Sequence, residues 1–360
     1  MKRPRAALYS PYLNIMGGGE KHILSILSVL EKNGFDCTIF WDDDLTQKIA
    51  ETFNLNFSRL SFAPNIFKAK GIISKSHELS SFDVFLYVTD GSYFFSTAKK
   101  NFVFCMVPQK NLYRLTPLNK LKTWNYRFIA NSNFTQKWLK RWGITANVIY
   151  PYLNEGFLGM NPERLPKEKI LLSVGRFFSH LHAKNQAVIV DFFKNKIHND
   201  AFFKGYKLVL VGAADENNRP YVESLKNLIR ETPAIELDTN VSYDELKAWY
   251  KKARIYLHFT GYGVDAEAHP EMVEHLGITP LEAMASGCLT FAYDAGGPAE
   301  TIIDGKTGFL FKSTTELIEL IKTLIKDKTA QTAVIRNAFL YVTDHFSLPV
   351  FEKRVKEVVL

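Results

Sequence analysis

The stretch that most constrains this chain is residues 269–300, HPEMVEHLGITPLEAMASGCLTFAYDAGGPAE. It reads as a loop, a short helix, a buried strand and a second glycine-rich loop. Thr279 is a good N-cap, Pro280 suits the first helical position, and Glu282 stands three residues after the cap, so a capping box is expected. Gly287 ends the helix where a left-handed residue is wanted. The apolar run 288–293 then has strand length, before Asp294-Ala295-Gly296-Gly297-Pro298 breaks it. A helix capped in this way turns its free amides toward the loop of Gly277, Ile278 and Thr279, a ready anion site. Glu274 and Glu282 flank that loop with seven residues between them.

A β-α rhythm runs through the rest of the chain. Residues 5–10 read as a strand, followed by a loop ending in Gly17, Gly18 and Gly19. A helical period follows at Ile23, Ile26, Leu27 and Leu30, Gly34 closes it, and 37–41 is the next strand. This is how a doubly wound sheet opens. The glycines let backbone approach a ligand at the helix N-terminus, yet G-x-G-x-x-G is absent, so no dinucleotide site is indicated. Further strands are expected at 82–88, 102–107, 127–131 and 148–150, and a domain boundary near 152, with a linker of about fifteen residues after it. A second array begins with a strand at 170–174 that ends in Gly175-Arg176, then a loop carrying His180, His182, Lys184 and Asn185 and a helix. Strands at 207–211 (closed by Gly212), 255–259 and 308–311 alternate with helices at 246–253 and 315–325, and 348–359 is helical in pattern. His180 and His182 have no carboxylate or thiol close in sequence, so no metal site is expected there.

At 360 residues the chain is too long for one ordinary core, and two domains are expected. With 46% hydrophobic and 23% charged residues it is globular, not disordered. No apolar run reaches the length of a membrane span, and the apolar residues after Lys2, Arg3 and Arg5 are too few for a signal peptide. Cys37, Cys105 and Cys288 lie in apolar surroundings, as buried free thiols of a reducing cytosol do. Charge is unevenly shared: residues 1–150 carry a net +10, the remainder −2, and no acidic residue occurs between Asp90 and Glu155. That span interleaves its lysines and arginines with Tyr113, Trp124, Tyr126, Trp138 and Trp142. Such a face suits an anionic membrane surface, an anionic acceptor or nucleic acid; the alternative is a solvated face without a partner. Within it Leu112, Leu115, Leu118, Leu121 and Trp124 stand three apart among Arg114, Lys120 and Lys122, a basic amphipathic helix that Pro117 starts or kinks.

Glu274, Gly277, the run Pro280-Leu281-Glu282-Ala283-Met284 and the downstream Gly296-Gly297 with Glu300 together resemble the E-x7-E signature of retaining glycosyltransferases of the GT-B fold, in particular family 4. The resemblance implies an α/β architecture of two Rossmann-like doubly wound domains facing a central cleft. Residues 1–152 would bind acceptor, 153–335 would bind the nucleotide sugar, and 336–360 would cross back as a C-terminal helix. It also implies roles for single residues. Arg176 and Lys184 would clamp the donor diphosphate, and Glu274 would stand at the donor sugar, the three forming the catalytic set. Glu282 would accept from the ribose hydroxyls. The amides of His275, Leu276 and Gly277 would reach sugar hydroxyls, those of Ile278 and Thr279 phosphate, with Gly18, Gly19 and Gly212 completing the donor site. Relatives often carry a histidine before the proline that ends the 102–107 strand; Cys105-Met106-Val107-Pro108 has none, which argues against a side-chain base there. The implied activity is transfer from a UDP- or GDP-sugar without cofactor or obligatory metal and without nucleic acid, and the basic charge of residues 1–150 points to a glycan or lipid-linked acceptor. The implied location is cytoplasmic or peripheral at the inner face of a membrane. The alternatives are a nucleotide-sugar 2-epimerase or phosphorylase on the same fold, or a non-catalytic basic protein that binds membrane or nucleic acid.

Overall fold

The computed structural model describes residues 2–69, 71–178 and 183–360 and divides the chain into two compact units. One comprises Met1–Pro151 with Phe351–Leu360, the other Tyr152–Val350. The first is built on β1 (Arg5–Tyr9), β2 (Asp36–Phe40), β3 (Leu60–Ala63), β4 (Val84–Val88), β5 (Lys100–Cys105), β6 (Tyr126–Ala130) and β7 (Ala146–Val148), in the order β3-β2-β1-β4-β5-β6-β7. The second holds β8 (Glu168–Val174), β9 (Lys207–Gly212), β10 (Ile235–Thr239), β11 (Ala253–His258), β12 (Leu289–Tyr293) and β13 (Phe309–Phe311), in the order β10-β9-β8-β11-β12-β13. All pairings within both sheets are parallel. The inner strands are apolar runs and not alternations, as in Val84-Phe85-Leu86-Tyr87-Val88, every residue of which is buried. Sheets covered by helices on both faces require this. Strand order reverses at β1/β4 and again at β8/β11. Loops leaving the carboxyl ends of strands at such reversals are where open α/β sheets bind ligands. The glycine loop after β1 and the Gly175-Arg176 turn after β8 both lie there. The expected α/β class of two doubly wound sheets is what the chain adopts.

Two strands, β3 and β10, have no counterpart in the sequence reading. The stretch expected to be a linker is partly structured, with a helical turn at Glu155–Leu158 and another at Pro162–Arg164. It belongs to the second unit: a Cβ on Gly287 would come within 2.8 Å of the Pro162 carbonyl oxygen. The returning segment is also shorter than 336–360. Helix Lys328–Phe346 stays in the second unit, where it packs on helix Ile278–Ala285. Only Phe351–Leu360 joins the first, where Glu352 pairs with Lys32 at 2.8 Å and Arg354 lies over the Tyr150 ring at 4.9 Å.

In the first unit, helix Gly18–Lys32 follows β1, and the Glu20 carboxylate accepts from the Gly17 N–H at 2.8 Å. A Cβ on Gly19 would lie 2.2 Å from Met106 Sδ, whereas one on Gly18 would meet nothing. A methyl group on Gly19 would have to displace the flexible Met106 side chain, whereas one on Gly18 displaces nothing. His22, on the same helix, is buried with its ring edge-on to Phe104 at 4.8 Å and tilted on Phe351 at 5.9 Å. The three cysteines are free and buried, and burial pushes the Cys37 thiol up to about 12. The leucine run is not one helix. Leu112 and Leu115 pack against the first unit's core, and helix Pro117–Lys122 begins after Thr116, whose side chain accepts from the Asn119 N–H. Proline at the first helical position thus starts the helix and shortens it to under two turns.

Candidate functional site

The E-x7-E stretch is assembled at the carboxyl edge of the second sheet, beside β8 and β11. Helix Ile278–Ala285 begins one residue before the expected cap. Its N-cap is Gly277, left-handed at φ +87° and without a side-chain cap, so the expected box between Thr279 and Glu282 does not form. Two buried tyrosines claim those side chains instead. The Tyr256 hydroxyl donates to Thr279 Oγ1 at 2.8 Å and the Tyr250 hydroxyl to the Glu282 carboxylate at 3.0 Å. Burial, and next the Glu282 charge, hold the Tyr250 phenol well above its ordinary value, so it serves as a donor. Capping is left to backbone geometry. The first amides of the helix, from Ile278 onward, have no partner within the helix itself.

Glu274 precedes this turn and is nearly buried. Lys184 forms an ion pair with it, and the two side chains keep only 15% and 14% of their surface. His258, the last residue of β11, is 1% exposed and sets its Nε2 3.1 Å from the same carboxylate oxygen, without the alignment of a hydrogen bond. Burial works against the ionised carboxyl, but the Lys184 charge outweighs it and holds Glu274 well below the usual carboxylate range. Burial in turn pushes the His258 imidazole down, so the ring is neutral at neutral pH. The result is a carboxylate–ammonium pair with a neutral imidazole at its side.

Glycines make the pair geometrically possible. A Cβ on Gly175 would sit 2.5 Å from the Lys184 Cγ, so the turn after β8 lets the lysine stem pass. A Cβ on Gly212 would lie 2.0 Å from the Gly175 carbonyl oxygen, which makes Gly212 a support of that turn. Gly296 and Gly297 press on the glutamate loop from the other side. The Gly297 N–H donates to the Glu274 carbonyl at 2.7 Å, and a Cβ there would be 2.2 Å from the Leu276 Cα. His275 is buried, its imidazole pushed down by burial, with Nε2 3.1 Å from the Glu271 carbonyl oxygen. It shapes the loop.

Arg176 stands in the turn after β8, exposed, with its guanidinium over the Phe178 ring at 5.2 Å. Asn185, left-handed at φ +54°, starts helix Gln186–Phe192 and donates to the Phe259 carbonyl at 2.8 Å, which ties the lysine loop to the end of β11. The structure therefore brings together Gly175, Lys184, Glu274, Leu276, Gly277 and the Gly296-Gly297 pair. Gly18 and Gly19 lie in the first unit at the mouth of its own switch point. His180 and His182 fall outside the described residues. Among the described residues no cluster of three His, Cys, Asp or Glu side chains is placed to hold a metal. Sequence reasoning missed His258, Tyr250 and Tyr256. Only His258 left a trace, a polar residue ending an apolar strand.

Comparison with known proteins gives a consistent picture. A family model described as Glycosyl transferases group 1 matches residues 160–340. The Alpha-1,3/1,6-mannosyltransferase ALG2 of Dictyostelium discoideum is 26% identical over 284 residues, covering 69% of this chain and 65% of that protein. The mouse GDP-Man:Man(3)GlcNAc(2)-PP-Dol alpha-1,2-mannosyltransferase is 30% identical over 201 residues, covering 51% and 38%. The chain thus spans less than two thirds of the length of these two relatives. Among solved structures, a glycosyltransferase from Rickettsia africae superposes with a TM-score of 0.75 at 17% identity, covering 99% of this chain and 98% of that one. Anabaena Alr3699/HepE in complex with UDP does so with 0.71 at 16%, covering 98% of both. At these identities the likeness speaks for the fold, the two-domain α/β architecture of GT-B enzymes.

Proposed function

We propose that this chain, which belongs to the glycosyl transferases group 1, moves a sugar from a nucleotide diphosphate sugar to a glycan or lipid-linked acceptor with retention of configuration. The observation that carries this reading is the nearly buried Lys184–Glu274 pair beside the amide-rich Gly277 turn at the β8/β11 switch point. A cation held among free helix amides offsets the charge that builds on a departing diphosphate. Arg176, at the turn that opens the second sheet, adds a planar cation able to grip phosphate oxygens in a bidentate way. In this reading the donor diphosphate competes with Glu274 for Lys184, and the freed carboxylate accepts from hydroxyls of the donor sugar. Glu282 accepts from the ribose while Tyr250 fixes its orientation. The mannosyl transfer named for both relatives, and the GDP-Man and PP-Dol-linked glycan in the name of the mouse enzyme, support a mannosyl donor and a lipid-linked saccharide acceptor.

The proposed transfer uses these side chains and helix amides without a cofactor or obligatory metal. Buried unpaired cysteines support a reducing, cytoplasmic setting. No helix among the described residues is long and apolar enough to cross a membrane. The test is a thermal-shift panel of GDP, UDP and ADP, followed by transfer from the matching radiolabelled sugar nucleotide with and without EDTA. The expected result is stabilisation by one nucleoside diphosphate and transfer that survives the chelator. No binding to any of the three would overturn the reading. Conversion of the donor to its 2-epimer with no acceptor present would replace transfer by epimerisation.

A further inference from the structure

We infer that the segment joining β5 to β6 docks this chain on an anionic lipid bilayer, with Leu118, Leu121 and Trp124 entering the headgroup layer and Arg114, Lys120 and Lys122 meeting lipid phosphates. The three apolar side chains are 57%, 59% and 76% exposed. The other large apolar side chains exposed among the described residues are scattered singly along the chain, from Ile15 to Leu360. Isolated exposed leucines need no explanation, whereas a cluster flanked by cations marks an interaction surface.

The segment does not owe its order to burying these residues. None of the residues of helix Pro117–Lys122 is buried. Its shape comes from polar bonds: Asn119 N–H to Thr116 Oγ1 at 3.2 Å, Asn119 Nδ2 to the Arg114 carbonyl at 2.9 Å, Thr123 Oγ1 to the Asn119 carbonyl at 2.8 Å and Asn125 Nδ2 to the Ser96 carbonyl at 2.9 Å. The apolar face is held out and left without an internal partner. Spacing of three places Leu118 and Leu121 on one side of the helix, and Trp124 follows in the turn just after its end. An indole is suited to the boundary between lipid tails and water.

Charge identifies the occupant. Among the described residues Arg114, Lys120 and Lys122 make no ion pair with any carboxylate, and no acidic residue stands between Asp90 and Glu155 to repel a negative surface. Nucleic acid would meet the same cations but gains little from two exposed leucines. A lipid surface uses both features together, weakly for each and additively.

The test is flotation of the full chain with vesicles of phosphatidylcholine alone or with about 30 mol% phosphatidylglycerol, a charge density on the scale of a natural anionic leaflet. The expected result is binding to the anionic vesicles only, weakened several-fold at about 0.5 M salt, where screening acts over a few ångströms. Each of Lys120→Gln and Lys122→Gln lowers partitioning by roughly fivefold. The combined Leu118→Ser, Leu121→Ser and Trp124→Ser variant loses at least about tenfold while its melting temperature is unchanged, because these side chains support no core. Equal binding of the triple variant, equal binding to neutral vesicles, or no binding of the parent chain overturns the proposal. So does a parent dimer in sedimentation velocity that the triple variant dissolves, which would assign the face to a second copy. Flotation needs neither donor nor acceptor, so its failure leaves the transfer reading standing.

Discussion

Lys184 and Glu274 neutralise one another where each keeps about a seventh of its surface, and this fixes what substitution of either one does. Removing the lysine leaves a nearly buried carboxylate without its counter-charge and removes a donor aimed at the proposed diphosphate. Lys184→Ala is expected to lower transfer by roughly 10²-fold, the scale of losing one preorganised oxyanion donor. Steady-state kinetics checks this, and near-normal turnover would remove the lysine from the mechanism. Glu274→Gln separates the two partners. Transfer falls, while the freed ammonium binds nucleoside diphosphate about tenfold more tightly, the worth of one charged hydrogen bond no longer competed for. Calorimetry with GDP and UDP reads that gain, and unchanged affinity would mean that the carboxylate and the diphosphate do not share the lysine. His258 acts here as a neutral neighbour whose contact is dipolar.

Elements in this fold are placed by close backbone approach as much as by side-chain packing. Gly297 allows the loop before helix Pro298–Thr301 to hold the Glu274 carbonyl, and a methyl group there would collide with the Leu276 backbone. Gly297→Ala is therefore expected to destabilise the second unit by about 1–3 kcal/mol, as overpacking of a well-filled site does, and to impair donor binding with it. Calorimetric unfolding of the variant measures the first effect. Gly18→Ala, whose added methyl meets no neighbour, is the control, and it should melt within a degree or two of the parent. Legibility at this scale followed burial. Buried strands such as β4 and β9 announce themselves as apolar runs, whereas β10, Ile-Glu-Leu-Asp-Thr at a sheet edge, carries too few apolar residues to read. The helix start at Gly277 was misread for a related reason. Thr279 has the chemistry of a cap, but the Tyr256 hydroxyl, 23 residues upstream in sequence, claims its oxygen.

At the scale of the molecule, stability against acid turns on a group that the proposed mechanism does not use. His22 is sealed between β5 and the returning C-terminal helix, and burial pushes its imidazole down to about 3, against the pull of the Ile149 backbone. The folded value lies below the ordinary 6.5, so the unfolded chain binds the proton first. The contribution is complete above pH 6.5 and is lost as pH falls toward 3. It amounts to about 1.4 kcal/mol per pH unit, roughly 2 kcal/mol by pH 5. Urea unfolding of the parent and of His22→Leu should show an acid limb in both, because His258 and His275 are also pushed down by burial, but a shallower one in the variant by about 1.4 kcal/mol per pH unit. Matching slopes would mean that the ring is hydrated in the folded chain.

Sequence alone determined the architecture and singled out Glu274 and Lys184 as residues to look for. Apolar runs broken by glycine at β-α spacing leave little but doubly wound sheets, and the spacing of Glu274 and Glu282 around Gly277 marks the helix turn between them. What only tertiary structure decided is which groups face one another. Lys184 meets Glu274 across 90 residues because β8 and β11 are neighbours in the sheet, and Gly175 clears the lysine's path. Tyr250, on helix Tyr243–Lys252, and Tyr256, on β11, reach Glu282 and Thr279 on the helix that follows β11, and so take from that helix the cap its sequence offered. The period-three leucines divide into packed and exposed sets because Pro117 starts a new helix in their midst. Local pattern fixes elements through short-range sterics and burial; the pairing of charges is set by strand order, which no local pattern contains.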